Sequence, residues 1–246
     1  MGITAAPTSP IRPRLVPASA LTPAAVGLTL AIVLIVVVGS TAFTDSRLAL
    51  LLGYLCVWVP LLGAIVVAGA RRGPGFWLDD LRFSVHPMDL IWGLGVGLLA
   101  RTLASLIEIW GYGSVGSAAV RFGETVYDVW WLFGAILAPI LLAPVIEEVF
   151  FRGLVLRAIF SDVAGARRTE GRSPAVIAAG ASGLTFALMH LVGIDLNSAV
   201  TVAVVASSTL IFGLAAAVLS LSTGRIGGAI IAHVTFNALV VVPALF

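Results

Sequence analysis

The sequence predicts an all-α fold: a polytopic transmembrane helix bundle with seven spans, or eight if one stretch breaks in two. Hydrophobic residues make up 60% of the 246 residues and charged residues 11%, and the mean hydropathy is +1.11. Apolar stretches of about 20 residues, the length that crosses a bilayer, alternate with short polar segments. Together these features are typical of an integral membrane protein rather than of a water-soluble one.

A proline-rich stretch comes first. Residues 1–23 hold five prolines and two arginines. Prolines at this density prevent a packed helix, so we predict a disordered, basic, Pro-rich tail over 1–23 and a single integral membrane domain over 24–246. The first apolar stretch, 24–43, has no clear cleavage site before a soluble domain and is predicted to stay in the membrane as a signal anchor.

Six further apolar stretches are predicted to span the membrane. The second of the seven spans ends at Arg71-Arg72-Gly73-Pro74-Gly75, where charges and helix breakers coincide, and a short interfacial helix is predicted over 76–83. Gly93, Gly95 and Gly97 lower the bulk of the third span and favour close helix contact. The six predicted ranges are 48–70, 88–110, 129–160, 174–192, 198–221 and 226–246, with loops over 111–128 and 161–173.

Arginine placement predicts the orientation. All 14 basic residues are arginines; with seven spans and an inner N-terminus, ten of them fall in inner segments and two in outer ones. We therefore predict a multi-pass protein of the cell membrane with a cytoplasmic N-terminus. The arginines form no stripe, so no nucleic acid partner is predicted. The sole cysteine, Cys56, excludes an internal disulfide.

Glu147, Glu148 and Arg152 stand in an apolar run. An ionised side chain at bilayer depth costs at least ~2.5–3.5 kcal/mol, so such residues usually face the bundle interior and are paired or functional. On a helix Glu148 and Arg152 share one stripe, whereas Glu147 turns away. Arg152 can therefore neutralise Glu148 and leave Glu147 free for chemistry; the alternative is one ionic cluster that ties helices together. Pro139 and Pro144 are predicted to kink this span, or to break it and give the eighth.

Other polar residues also fall inside predicted spans. Arg101 and Glu108 share one face of the third span and are predicted to have a structural role, paired with each other or with another helix. His190 lies in the fifth span, and His233 and Asn237 share one face of the last. The two histidines are expected at different depths: at 1.5 Å per residue from the inner side, His190 lies ~25 Å along its helix and His233 ~12 Å along its own.

These groups suit hydrolysis of an amide. Glu147 can take a proton from water while a histidine holds that water. His233 and Asn237 can donate to the developing oxyanion, and a single fixed donor is often worth ~3–4 kcal/mol. A zinc-bound water is the rival mechanism, with Glu147, His190 and His233 as candidate ligands. Spacing alone leaves the choice between the two open.

Three motifs also show a family resemblance. They are Glu147-Glu148-x-x-x-Arg152, which continues into Gly153, then Phe186-x-x-x-His190 and His233-x-x-x-Asn237. In this order, each in an apolar segment, they resemble the motifs of the CAAX-protease and bacteriocin-processing family, also called CPBP or Abi. The resemblance places a catalytic core at about residues 130–246.

The resemblance implies an intramembrane endopeptidase of the CAAX prenyl endopeptidase type that acts on a membrane-associated peptide or protein. By the same resemblance, Glu147 activates water with His190, His233 and Asn237 bind the oxyanion, and Glu148 and Arg152 support them. A glutamate-activated water needs no metal, so no cofactor is favoured. Two other functions stay open: a non-proteolytic scaffold or immunity protein and, less favoured, a transporter with Glu147, Glu148 and Arg101 as an ion path.

Overall fold

A computed structural model of the chain describes residues 16–70, 72–73, 75–115, 128–167 and 172–245. Every regular element within these ranges is helical. Three stretches are π-helical and two are short 3-10 turns, Ala18–Ala20 and Pro243–Leu245; the π-helices are Phe76–Asp80, Leu132–Leu142 and Val149–Val155. The α-helices are α1 Leu21–Gly39, α2 Ser46–Gly69, α3 Pro87–Tyr112, α4 Val129–Trp131, α5 Ala143–Glu148, α6 Leu156–Arg167, α7 Arg172–His190, α8 Ala199–Thr223 and α9 Gly227–Val241.

Within the described residues, six helical stretches are long and apolar enough to cross a membrane. They are Ala18–Gly39, Ser46–Gly69, Pro87–Tyr112, Val129–Ala166, Ser173–His190 and Ala199–Thr223. The seventh predicted span corresponds to α9, an apolar helix of 15 residues, which is shorter than the ~20 residues that a full crossing needs. An all-α, multi-pass membrane bundle is confirmed; by length, its described part reaches six spans rather than seven or eight.

The first helix begins earlier than predicted. The 3-10 turn Ala18–Ala20 leads directly into α1 at Leu21, so the predicted tail over 1–23 extends too far at its C-terminal end. Pro23 is the third residue of α1, a position where the missing N–H costs no helical hydrogen bond. Residues 1–15 of the predicted tail lie outside the described residues.

The central segment Val129–Ala166 is one continuous helical path of 38 residues. Pro139 lies inside the π-helix Leu132–Leu142 and Pro144 at the start of α5. The backbone N–H of Ala143 donates to the carbonyl of Ala138, five residues back. Because π-type bonding widens the turn, it takes up both prolines without ending the helix, and the predicted break into two spans does not occur.

The predicted loop over 161–173 is largely helical. Helix α6 continues to Arg167 and α7 begins at Arg172, while residues 168–171 lie outside the described residues. Leu156 and Ala158 of α6 are fully buried, and Asp162, further along the same helix, is exposed. The polar end of the amphipathic helix α6 was therefore wrongly predicted to be a loop. Arg157 lies in α6 and donates to Ser220 Oγ at 3.3 Å.

Helix α3 packs closely on α9, and two glycines of α3 explain the approach. A Cβ on Gly93 would lie 2.6 Å from Ile231 Cβ, and one on Gly97 would lie 2.6 Å from the carbonyl oxygen of Ala232. Gly95 faces open space. The predicted packing role is thus right for Gly93 and Gly97 and wrong for Gly95.

Ion pairs form both within α3 and between α3 and the turn before α9. Arg101 Nη2 lies 2.5 Å from Glu108 Oε2, which selects mutual pairing from the two predicted alternatives. Arg225 Nε lies 2.7 Å from the buried Asp89 Oδ2, and this hydrogen bond raises the pKa of Arg225. The turn before α9 is therefore held against the start of α3.

Candidate active site

The end of α5 carries the first pair of polar residues. Glu148 and Arg152 are both fully buried, and Arg152 Nη1 donates to Glu148 Oε1 at 2.7 Å. Glu147, the residue before, faces elsewhere and does not join this pair. This is the division between the two glutamates that the helical spacing predicts.

Aromatic rings and a carbonyl group surround the guanidinium of Arg152. Its Nη2 donates to the carbonyl of Gly213 in α8 at 3.1 Å, and its central carbon lies 4.5 Å from the ring centroid of Phe186 in α7. A cation over an aromatic face is attracted to the ring, more strongly when water is excluded. The buried charge is thus compensated, and it links the central segment to α7 and α8.

His233 of α9 connects this ion pair to Glu147. Its Nδ1 lies 2.9 Å from Glu148 Oε1. An ionised carboxylate can only accept, so Nδ1 is the donor. The other ring nitrogen, Nε2, lies 3.9 Å from Glu147 Oε2. The imidazole therefore stands between the two glutamates.

His190, the last residue of α7, approaches Glu147 from another side. Its Nδ1 lies 2.9 Å from the carbonyl oxygen of Phe186, and since a carbonyl only accepts, Nδ1 donates here as well. Its Nε2 lies 3.8 Å from Glu147 Oε2. In the neutral ring this Nε2 has a free lone pair directed at the carboxylate region.

Glu147 Oε2 is buried and has no hydrogen-bond partner within the described part of the chain. The separations of 3.8 and 3.9 Å from the two histidines exceed a hydrogen bond. A water that bridges Glu147 Oε2 and either Nε2 requires these side chains to move apart slightly, because Oε2 has almost no exposed surface. The three side chains thus form an acidic and basic cluster around one carboxylate oxygen.

Glu147 and His190 also line a cavity of about 620 Å³. Its remaining lining comes from the end of α1, the loop after it, α2, the end of α7 and the turn after α7; these residues are Ile35, Val38, Gly39, Thr41, Phe43, Ala49, Gly53, Cys56, Val57, Met189, Val192 and Gly193. A volume of this size is typical of a ligand site. The polar cluster is therefore reached through a mostly apolar space.

Asn237, one turn after His233 in α9, contacts the central segment. Its Nδ2 donates to the carbonyl oxygen of Pro139 at 2.8 Å, and it is not among the residues that line the cavity. In the π-helical pattern this carbonyl would accept from residue 144, five positions on, but Pro144 has no N–H. The amide of Asn237 supplies the missing donor, so part of its hydrogen-bonding capacity serves the central helix.

The two histidines meet despite the depths expected from sequence. The ring of His190 leans back one turn and lies 4.3 Å from the ring of Phe186, as helical side chains that point towards the N-terminus do. The Nε2 atoms of both imidazoles reach the same oxygen of Glu147, at 3.8 and 3.9 Å.

The candidate zinc ligands Glu147, His190 and His233 do not form a metal site in this geometry. Among the described residues, no three or more His, Cys, Asp or Glu side chains are grouped so that they could hold a metal ion. Two ligands of one tetrahedral zinc lie about 3.3 Å apart, given bonds of about 2.0–2.1 Å, closer than the 3.8 and 3.9 Å found here. A reaction without a metal stays a prediction.

Sequence reasoning missed the apolar residues that complete the site. Phe212 stacks near His233, with ring centroids 4.6 Å apart, and Gly213 supplies its carbonyl to Arg152. The cavity walls from α1 and α2 were missed too. Apolar residues in a membrane helix look alike whichever surface they face, so no signal in the sequence distinguishes these positions.

An all-helical membrane bundle with a glutamate and two histidines clustered in its interior defines the class: a multi-pass membrane protein with a buried polar centre. Residues 129–239 match the model of a family described as type II CAAX prenyl endopeptidase, Rce1-like. The match covers all three motifs and confirms the resemblance found in them. Comparisons with curated proteins and with solved structures gave no match.

Proposed function

We propose that the protein is an intramembrane endopeptidase of the CAAX prenyl endopeptidase type, which hydrolyses a peptide bond of a membrane-associated substrate with a water activated by Glu147. One observation carries the proposal: the unpartnered Oε2 of Glu147 lies 3.8 and 3.9 Å from Nε2 of His190 and His233 at the wall of a cavity. The protein is placed in the cell membrane with a cytoplasmic N-terminus, in keeping with the arginine distribution.

The water attacks the carbonyl carbon of the scissile bond. As the new C–O bond forms, Glu147 takes one proton of the water, while Nε2 of His190 accepts a hydrogen bond from the other. The tetrahedral intermediate then collapses, the C–N bond breaks, and Glu147 returns its proton to the leaving amine. His190 can serve in this way because its Nδ1 is already committed to the carbonyl of Phe186.

His233 is the proposed donor to the oxyanion of the intermediate. Because its Nδ1–H donates to Glu148, its Nε2 can donate only when the ring is an imidazolium. Glu148 stabilises that cation at 2.9 Å and is itself held by Arg152 at 2.7 Å. Asn237 is the proposed second donor, with the one amide hydrogen that its bond to Pro139 leaves available.

A scaffold or immunity role is the second candidate, since a buried ionic network can also hold a recognition surface in shape. Glu147 argues against it, because this carboxylate lies within 4 Å of Nε2 of both His190 and His233 and lines a cavity, an arrangement that a purely structural role does not require. The transporter alternative required Arg101 as part of an ion path, but Arg101 is paired with Glu108.

The experiment that tests the proposal uses purified protein in detergent and a library of membrane-anchored peptides. Cleavage by the wild type and its loss, by about 100-fold or more, in Glu147→Gln would support it, since general acid–base catalysis contributes about 10²–10⁴-fold. Asp79→Asn, which neutralises an exposed carboxylate, is the matched control and should retain activity. Cellular function that persists in Glu147→Gln would favour the scaffold.

A further inference from the structure

The wall of the cavity beside Glu147 contains a helical glycine, Gly53, that is not packed against a neighbouring helix. On α2, Gly53 lines it, is exposed, and a Cβ built on Gly53 would meet no atom within 4 Å. In contrast, Gly27 and Gly134 face tight contacts, with the nearest atom 2.6 Å from each built Cβ. Close helix packing therefore explains those two glycines but does not explain Gly53.

A glycine inside a helix lowers its stability by roughly 0.5–1 kcal/mol relative to alanine. At Gly53 the described structure shows no close neighbour that offsets this cost. The absence of a side chain at Gly53 leaves open space in the cavity that Glu147 and His190 also line. The carbonyl oxygen of Gly53 also accepts from Cys56 Sγ at 3.1 Å, so both residues are part of the same stretch of wall.

The chemistry of the lining defines what fits that space. Among the described residues that line the cavity, only Glu147 and His190 can carry a charge at neutral pH, and both are assigned to the reaction. The rest of the wall is dominated by side chains such as Ile35, Val57 and Met189. A charged substrate side chain would lose its hydration here without a dedicated partner, whereas an aliphatic one would gain from burial.

We propose that Gly53 forms, with the cavity wall of α1 and α2, a subsite that receives an uncharged, apolar side chain of the substrate next to the scissile bond. This inference rests on the proposed function and adds a specificity determinant to it. The subsite belongs to helices that precede residue 129, where the family match begins. Gly53 selects the size of the substrate side chain, and Glu147 acts on the adjacent bond.

The test compares Gly53→Ala and Gly53→Leu in the purified full chain, with membrane-anchored peptides that carry Ala, Leu or Lys beside the cleaved bond. Gly53→Leu should lower kcat/KM for the Leu peptide by about 10–100-fold, since small steric changes in an apolar pocket discriminate on this scale. The Ala peptide should lose less, and Gly53→Ala should have an intermediate effect. If Gly53→Leu does not fold, Gly53→Ala decides, because alanine favours the helix.

Gly63→Leu is the matched control. Gly63 lies in the same helix, is exposed and also faces open space, but does not line the cavity. It should cleave all three peptides as the wild type does. Equal kcat/KM values for Gly53→Leu and the wild type on the Leu and Ala peptides, or a wild-type preference for Lys over Leu, would overturn the inference while leaving the proposed protease activity intact.

A second readout needs no cleavage. Cys56 is the chain's one cysteine and lines the cavity, so its rate of alkylation by a small maleimide reports on access to this wall. The Leu peptide should slow alkylation of Glu147→Gln protein, and Gly53→Leu should slow it without peptide. Alkylation that neither the peptide nor Gly53→Leu slows would contradict the subsite, whatever the outcome for catalysis.

Discussion

His233 Nδ1 and Glu148 Oε1 lie 2.9 Å apart, and the same carboxylate oxygen accepts from Arg152 Nη1 at 2.7 Å. One buried oxygen thus receives two donors from two different helical segments. This arrangement fixes the ring of His233 with its Nε2 towards Glu147. It also makes the geometry of the proposed reaction depend on a residue that need not touch the substrate.

Glu148→Gln should therefore destabilise the fold and lower activity together. The change removes the negative charge that compensates Arg152, and breaking one partner of a buried ion pair typically costs about 3–5 kcal/mol. Thermal unfolding in detergent measures the loss. The double variant Glu148→Gln, Arg152→Met should recover part of the stability but not the activity. If Glu148→Gln alone were as stable as the wild type, the Glu148–Arg152 pair would contribute nothing to the stability of the fold.

Glu147→Gln should leave stability unchanged or raise it. Its Oε2 is buried and without a hydrogen-bond partner among the described residues, so neutralising this carboxylate removes a desolvation cost that outweighs its attraction to the histidines 3.8 and 3.9 Å away. The same thermal unfolding measurement, run beside Glu148→Gln, separates a residue kept for chemistry from one kept for structure. A strong loss of stability in Glu147→Gln would indicate a structural role instead.

Asn237→Ala should lower the free energy of unfolding by about 1–3 kcal/mol, because the carbonyl of Pro139 would be left without its donor. If Asn237 also binds the oxyanion, kcat should fall further than this loss of stability explains when activity is measured well below the unfolding temperature. Asn197→Ala, at an exposed turn position, is the control and should change neither quantity. Full activity in Asn237→Ala would restrict Asn237 to a structural role.

Gly97→Leu should prevent α3 from packing on α9, because the new Cβ would lie 2.6 Å from the backbone oxygen of Ala232. Because His233 follows Ala232 in α9, displacing this helix should also move His233 away from Glu147 and abolish cleavage. Gly95→Leu, two residues away in open space, should fold and cleave normally. Size-exclusion chromatography and peptide cleavage distinguish the two; identical behaviour of both variants would contradict the packing described for α3 and α9.

Chelators should leave peptide cleavage unchanged if Glu147 acts on water without a metal. The purified protein is incubated with a strong zinc chelator and then assayed, with a known zinc protease treated in parallel to show that the chelator is effective. Activity that disappears and returns on addition of zinc would replace the glutamate mechanism with the metal one.

The sequence predicted the parts of this site that carry charge. Glu148 and Arg152 pair as their spacing requires, and His190 and His233 reach Glu147. Prediction from the sequence failed where the structure depends on contacts between residues far apart in the chain. Local rules allow Pro139 and Pro144 to break the helix, but a π-helix and the amide of Asn237 accommodate both prolines without a break. Gly95 and Gly97 look equivalent in the sequence, and only the position of α9 distinguishes them.

The reactive groups and the apolar wall opposite them come from different parts of the chain. Glu147, His190 and His233 lie within residues 129–239, whereas α1 and α2 pack on each other as a hairpin ahead of that region. Replacing cavity-facing side chains of the hairpin would change which substrates are accepted and would leave the proton-transfer groups as they are. The hairpin is therefore the place to start when this scaffold is to be redirected to a new peptide.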